Sequence, residues 1–227
     1  MQCLSTLRTK QRLRDLQQPK VAKATLSEAF AEKAVDAGAV GFVLSRLPKG
    51  EAPILWVQDR LSQKEAGRPY LPGIGVQRPI IRVDVTRPAD VLWAMEDGLR
   101  CGTLGAVIGE IWGDPPVLSF TATKRLAIRA EAGGLPCWLV RRSAMPNLSA
   151  ARDRWRIRSL PSDPHPHDAQ APGDPRWQVE LFRSRASKPG TWVVRYDSAT
   201  GHVYLSAPFR DGGVAAANGT ARQRVLG

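Results

Sequence analysis

Between Glu32 and Gly41 the chain reads Glu-Lys-Ala-Val-Asp-Ala-Gly-Ala-Val-Gly. The stretch lies between a predicted strand over Thr25–Phe30 and a predicted helix over Gly38–Leu47. Strand, loop, helix is the arrangement of a P-loop. There, glycines let the backbone approach phosphate, a Lys reaches the β- and γ-phosphates, and the next Ser or Thr holds magnesium. The Gly-Lys-Ser/Thr run is missing here. Lys33 comes too early, and Asp36 would repel a phosphate at the helix N-terminus. The nucleotide site that Glu32, Lys33, Asp36 and Gly38 outline is therefore degenerate, and no cofactor is expected.

Other residues capable of chemistry are scattered. Asp59 follows the apolar run Ile54–Val57, where a nucleotide hydrolase keeps its activating carboxylate. Without a phosphate cradle it reads as a turn cap. Glu110 ends the run Leu104–Ile111, in the place of a magnesium-side acid. Trp112 just beyond it suits a turn, or a stacking platform for bases. His165-Pro-His167 has neither a Cys nor a third ligand beside it, which is weak metal evidence. There is no Ser with a His/Asp pair, no Cys/His pairing and no pocketed carboxylate pair. The expectation is a protein without catalytic or metal-binding residues.

Basic residues are the positive signal. Lys and Arg number 33 against 21 Asp and Glu, a formal charge of +12. That balance favours an anionic partner such as nucleic acid. Arg141, Arg142, Arg152 and Arg154 fall on a predicted loop beyond the strand Leu135–Val140. Arg156 and Arg158 follow on the polar side of an alternating strand, Arg154–Leu160, whose Trp155 and Ile157 point the other way. All six are candidate DNA- or partner-binding residues, serving binding and not stability.

These residues need elements to hold them. A helix over Ala89–Cys101 carries Val91, Leu92, Met95 and Leu99 on one face, with Thr86 as the expected cap and Pro88 in the first turn. The unalternating run Leu104–Ile111 reads as a strand covered on both faces. A helix over Thr121–Ala132 stops at Gly133-Gly134, and a buried strand follows at Leu135–Val140. This is a βαβ unit of a parallel sheet, which binds ligands beyond the carboxyl ends of its strands. Ile54–Val57 and Pro79–Val85 add strands, with a polar loop between them running through Gly75. Arg176–Phe182, Thr191–Tyr196 and His202–Ser206 extend the sheet with antiparallel pairing.

Five segments result. Residues 1–24 form a basic arm, 25–160 an α/β core, 161–175 a Pro-rich linker, 176–209 the C-terminal strands and 210–227 a flexible tail. Cys3, Cys101 and Cys137 show no pairing motif and two fall in core positions, as in a reducing cytosol. No apolar run reaches the roughly 18 residues of a membrane span. The N-terminal stretch is too polar for a signal peptide.

Three motifs carry a family resemblance in combination: Leu-Trp-Val-Gln-Asp (55–59), Leu-Trp-Ala-Met-Glu-Asp-Gly-Leu-Arg-Cys-Gly (92–102) and Ala-Glu-Ala-Gly-Gly (130–134). With them the chain resembles the RecA core, and within it the ImuA family of accessory proteins of SOS-induced mutagenesis. The resemblance covers Thr25–Arg142 and extends through Ala-Pro-Gly-Asp-Pro-Arg-Trp-Gln-Val-Glu-Leu at 171–181. It implies a RecA-like, mostly parallel sheet flanked by helices. It also implies a non-catalytic adaptor in translesion synthesis, beside ImuB and an error-prone DnaE-type polymerase. The further partners it implies are RecA and single-stranded DNA, and the place it implies is the cytoplasm, at the nucleoid. In RecA the loops that correspond to 111–119 and 141–154 of this chain contact single-stranded DNA. Two other roles fit the resemblance: a RecA-type DNA-dependent ATPase with an atypical nucleotide loop, and a cell-division inhibitor resembling SulA.

Overall fold

A computed structural model describes residues 24–68, 70, 78–165, 167, 168, 170–199 and 202–208. Most of the basic arm, the Leu71–Gly75 stretch and the 210–227 tail lie outside the described residues.

The described residues form one nine-stranded sheet: β1 (Leu26–Ala31), β2 (Ile54–Asp59), β3 (Ile80–Val85), β4 (Ala106–Trp112), β5 (Cys137–Arg142), β6 (Asp153–Leu160), β7 (Arg176–Ser184), β8 (Gly190–Asp197) and β9 (His202–Pro208). The strand order is β3-β2-β4-β5-β1-β6-β7-β8-β9. β3 through β6 in that order are parallel, and β6 to β9 pair antiparallel. The α/β architecture, mostly parallel with antiparallel C-terminal strands, is the one the sequence predicts.

Among the described residues four helices flank it: α1 (Gly38–Ser45), α2 (Arg60–Ala66), α3 (Pro88–Gly98) and α4 (Phe120–Gly133). α3 and α4 close one apolar layer, in which Val91, Met95 and Leu126 meet Leu55, Val107 and Leu139 of the strands. α1 closes the other, where Phe42 packs against Trp138 and Trp155 in a cluster that also takes in Trp56, Ile108 and Trp177. Two apolar layers explain why the central strands read as unbroken hydrophobic runs.

Local chemistry sets the helix ends. Ser119 accepts from the Ala122 N–H and opens α4, and Gly134 closes it at φ 64°, a left-handed cap that glycine adopts freely. α3 starts one residue later than Thr86 would set it. Its cap is Arg87, which makes no side-chain cap bond, and Pro88 fills the first turn. α2 stands where the sequence pattern reads as polar loop. Asp59 caps it by accepting from the Ser62 N–H at 2.7 Å.

The connection expected to be a linker folds back on itself. Pro164 bridges to Pro172, the Gly173 N–H donates to the Asp163 carbonyl, and the Asp163 carboxylate meets Arg176 and Arg195. Cys137 is buried, and burial pushes its thiol pKa up; Cys101 is exposed rather than in the core. No helix among the described residues is long and apolar enough to cross a membrane.

Candidate functional site

The loop after β1 lies beyond the carboxyl ends of β1 and β6. The Glu32 N–H still donates to the Ile157 carbonyl, and the Asp36 N–H turns back to the Lys33 carbonyl. The Asp36 carboxylate then does two things. Oδ1 accepts from the Gly38 N–H at 2.7 Å and from Ser159 Oγ at 2.5 Å, while Oδ2 accepts from the Ser159 N–H at 2.8 Å. The N-terminus of α1 thus faces an anion of its own, where a phosphate would otherwise find free N–H groups. The glycines serve packing. A Cβ on Gly38 would lie 2.5 Å from Ser159 Oγ, and one on Gly41 would lie 2.7 Å from the Trp177 ring.

Arg142 fills the space beneath this loop. Its Nη1 donates to the carbonyls of Ala34 at 2.8 Å and Asp36 at 3.1 Å, and its Nε donates to Glu110 Oε2 at 3.0 Å. Glu110 is fully buried. It also accepts from Trp56 Nε1 at 3.1 Å and Gln58 Nε2 at 3.2 Å. A buried carboxylate needs a countercharge and hydrogen bonds on both oxygens, and here it has them. The Glu110 side chain is held by three donors of the protein itself.

Asp59, 1% exposed, acts as a structural clamp: besides capping α2 it accepts from the Trp112 N–H at 3.2 Å. That bond ties the end of β4 to the end of β2. An open cleft of about 480 Å³ lies beside the β1 loop, lined by Glu32, Lys33, Asp36 and Arg158 among others. Among the described residues no group of three or more His, Cys, Asp or Glu could hold a metal ion.

The arginines divide differently from the sequence reading. Arg141 and Arg142 are not on a loop; they close β5, opposite Ile111 and Trp112 of β4. Arg154 is in β6 and 4% exposed, and Arg141 is wholly buried. The reason is Glu28, a buried carboxylate in the middle of β1. Arg154 Nε donates to its Oε2 at 2.6 Å, Ser149 Oγ donates to its Oε1 at 2.9 Å, and Arg141 Nη1 stands 3.9 Å away. The Phe30 ring is flanked by both guanidinium groups, at 5.4 Å for Arg141 and 5.3 Å for Arg154. Arg141 Nη2 reaches the Gly113 carbonyl and Asp114 Oδ1, and the other Asp114 oxygen takes the Met145 N–H. The loops after β4 and β5 are thereby stitched together. Burial lowers the pKa of Arg141, opposed by Glu28 and Asp114.

Three of the six candidates stay within reach of a partner. Arg152 pairs with Glu131, Arg156 with Glu180 and Arg158 with Glu32. Glu28 escaped sequence reasoning. Its signal was available: a lone charge inside a short strand of small and apolar residues covered on both faces must have a partner.

No protein-family model matches the chain. Two curated relatives do, both called Protein ImuA, from Caulobacter vibrioides strains NA1000 and CB 15. Each is 36% identical over 165 residues, 68% of this chain and 64% of theirs. The chain is ImuA-like over that stretch, and it spans just under two thirds of the length of the curated relatives it matches.

Proposed function

We propose, taking that ImuA-like sequence as premise, that the chain is a non-catalytic adaptor of SOS-induced, error-prone translesion synthesis. In this reading it assembles with ImuB and a DnaE-type polymerase, and its α/β core serves as a scaffold. One observation supports the loss of nucleotide chemistry above the others. The space under the β1 loop holds the Arg142 guanidinium, bonded to the loop's own carbonyls and neutralised by Glu110. A nucleotide would have to displace a buried ion pair, and the loop offers it no Gly-Lys-Ser/Thr in exchange.

Calorimetry with ATP and magnesium is expected to give no saturable heat. Micromolar binding that disappears in Lys33→Ala would overturn the non-catalytic part. The adaptor part is tested by capture from cells with damaged DNA, using the full chain as bait. Recovery of ImuB and the polymerase is expected, and recovery of neither would sink that part.

A further inference from the structure

We propose that the uncovered face of the C-terminal half of the sheet is a binding surface for single-stranded nucleic acid. This goes beyond the adaptor reading and does not rest on the lost nucleotide site. Helices α3 and α4 pack against β1 to β5. The other face of β6 to β8 is covered by the apolar layer that holds Trp155, Ile157, Trp177, Val179 and Val194. Among the described residues this leaves one side of β6–β9 without a helix, and the alternation of the strands decides what it carries.

It carries arginines interleaved with rings. Arg156, Arg158 and Arg195 keep 41%, 42% and 43% of their side chains exposed. Each is laid along the sheet by a carboxylate or a ring. Arg156 pairs with Glu180 and stacks on Phe182 at 5.2 Å, and Arg195 lies over Tyr204 at 5.9 Å. Arg158 bonds to Gln178, and its Nε stands 3.7 Å from Glu32 Oε2. Arg183, opposite Arg154 across the β6–β7 ladder, is exposed and makes no ion pair among the described residues.

With Arg176, five arginines share this face with four carboxylates: Glu32, Asp163, Glu180 and Asp197. The chain as a whole carries +12. A ligand with regular negative charge and flat rings complements that pattern. Phe182 is itself flanked by Arg154 at 5.3 Å as well as Arg156 and met edge-on by Phe30, so phosphates meet the guanidinium groups and bases stack on the guanidinium planes that lie over Phe182 and Tyr204. Duplex DNA has its bases already stacked, and a lipid surface offers no rings. The flat guanidinium groups backed by rings are what favour a single strand, whose bases are free to stack on them.

The test uses the full chain and a labelled 20-mer oligothymidylate, followed by fluorescence anisotropy across a salt series. Duplex DNA and anionic phosphatidylserine vesicles run alongside. Replacing Arg156, Arg158 and Arg195 together by Ser is expected to weaken oligothymidylate binding at least tenfold. The log–log salt slope should flatten by about 0.7 for each phosphate that the variant no longer neutralises. A control triple, Arg87, Arg100 and Arg125 to Ser, removes the same charge from the α3/α4 side and should bind within about twofold of the parent. Phe182→Leu should reduce the preference for the single strand over duplex while leaving the slope alone.

Glu180→Gln frees Arg156 without removing an arginine and should tighten binding several-fold. It keeps the test decisive if the Ser triple fails to fold. The proposal is overturned if the parent binds vesicles or duplex but not the oligonucleotide. It is overturned equally if both triples lose affinity alike, or if Glu180→Gln changes nothing.

Discussion

Arg142→Met isolates the feature that separates a filled loop from a usable one. In the parent, the Arg142 and Glu110 side chains are 5% and 0% exposed and 3.0 Å apart. Removing one partner of a buried pair typically costs about 3–5 kcal/mol, because the other charge stays buried and uncompensated. Trp56 and Gln58 still donate to Glu110, but neither supplies a charge. The carbonyls of Ala34 and Asp36 also lose their donor, so the upper half of that range is expected. For a chain of this size about 2–4 °C follows each kcal/mol, which predicts a Tm lowered by about 8–20 °C. Urea unfolding should show the same loss as a shift in midpoint with an unchanged slope.

The double variant Glu110→Gln/Arg142→Met buries no charge and should recover at least half of the loss. Neither variant should bind ATP, because emptying the space does not supply the missing Lys and Ser/Thr. A single variant within about 1 kcal/mol of the parent would refute the argument. So would a double variant no better than the single. Nucleotide affinity appearing in Arg142→Met would mean that the arginine guards an intact site.

Three further outcomes follow from the same geometry. Arg154→Leu should destabilise by about 3 kcal/mol through Glu28, whereas Arg152→Ser, on an exposed pair with Glu131, should cost under about 1 kcal/mol; equal effects on urea midpoints would contradict the division of the arginines. Gly41→Ala should cost about 1–3 kcal/mol, since its Cβ would sit 2.7 Å from the buried Trp177 ring; a neutral result, read by thermal melting, would mean that α1 shifts freely. The Arg152 guanidinium, with help from Thr25, holds the Glu131 carboxyl below its ordinary 4.5, so that pair stabilises the fold above about that pH and ceases to as pH falls through the lowered value. The Tm gap between the parent and Arg152→Ser should therefore narrow as the pH is taken from 7 down below 4.5, and a gap that does not narrow at all on acidification would rule out the carboxylate.

The sheet was legible because its central strands are covered on both faces and read as apolar runs. Ile54–Val57 and Leu104–Ile111 could be placed within a few residues on that ground alone. α2 was not legible, because it buries only Ser62 and so carries no apolar stripe. Its one signal was Asp59, which reads as a cap but points equally to a turn. The degenerate loop was legible as an absence. What fills it was not, because Arg142 is 106 residues from the Asp36 carbonyl it meets.

The arginines show why composition misleads about a basic chain. Six read as binding residues because they cluster between residues 141 and 158 and because arginine is usually solvated. Whether an arginine is solvated depends on the acid it can reach, and the acids here are distant in sequence: Glu28 lies 126 positions from Arg154, and Glu110 lies 32 from Arg142. Both acids occupy strands covered on both faces, and desolvation makes an unpaired carboxylate there too costly to keep. Each therefore requires a cation from a neighbouring strand, and the parallel register supplies it: β5 lies beside β4, and β6 beside β1. Counting such acids first, and withdrawing one or two arginines for each, leaves the residues free to meet a partner. Applied here, that rule removes Arg141, Arg142 and Arg154 and retains Arg152, Arg156 and Arg158. Of these, Arg156 and Arg158 are the two that continue onto the uncovered face beside Arg195.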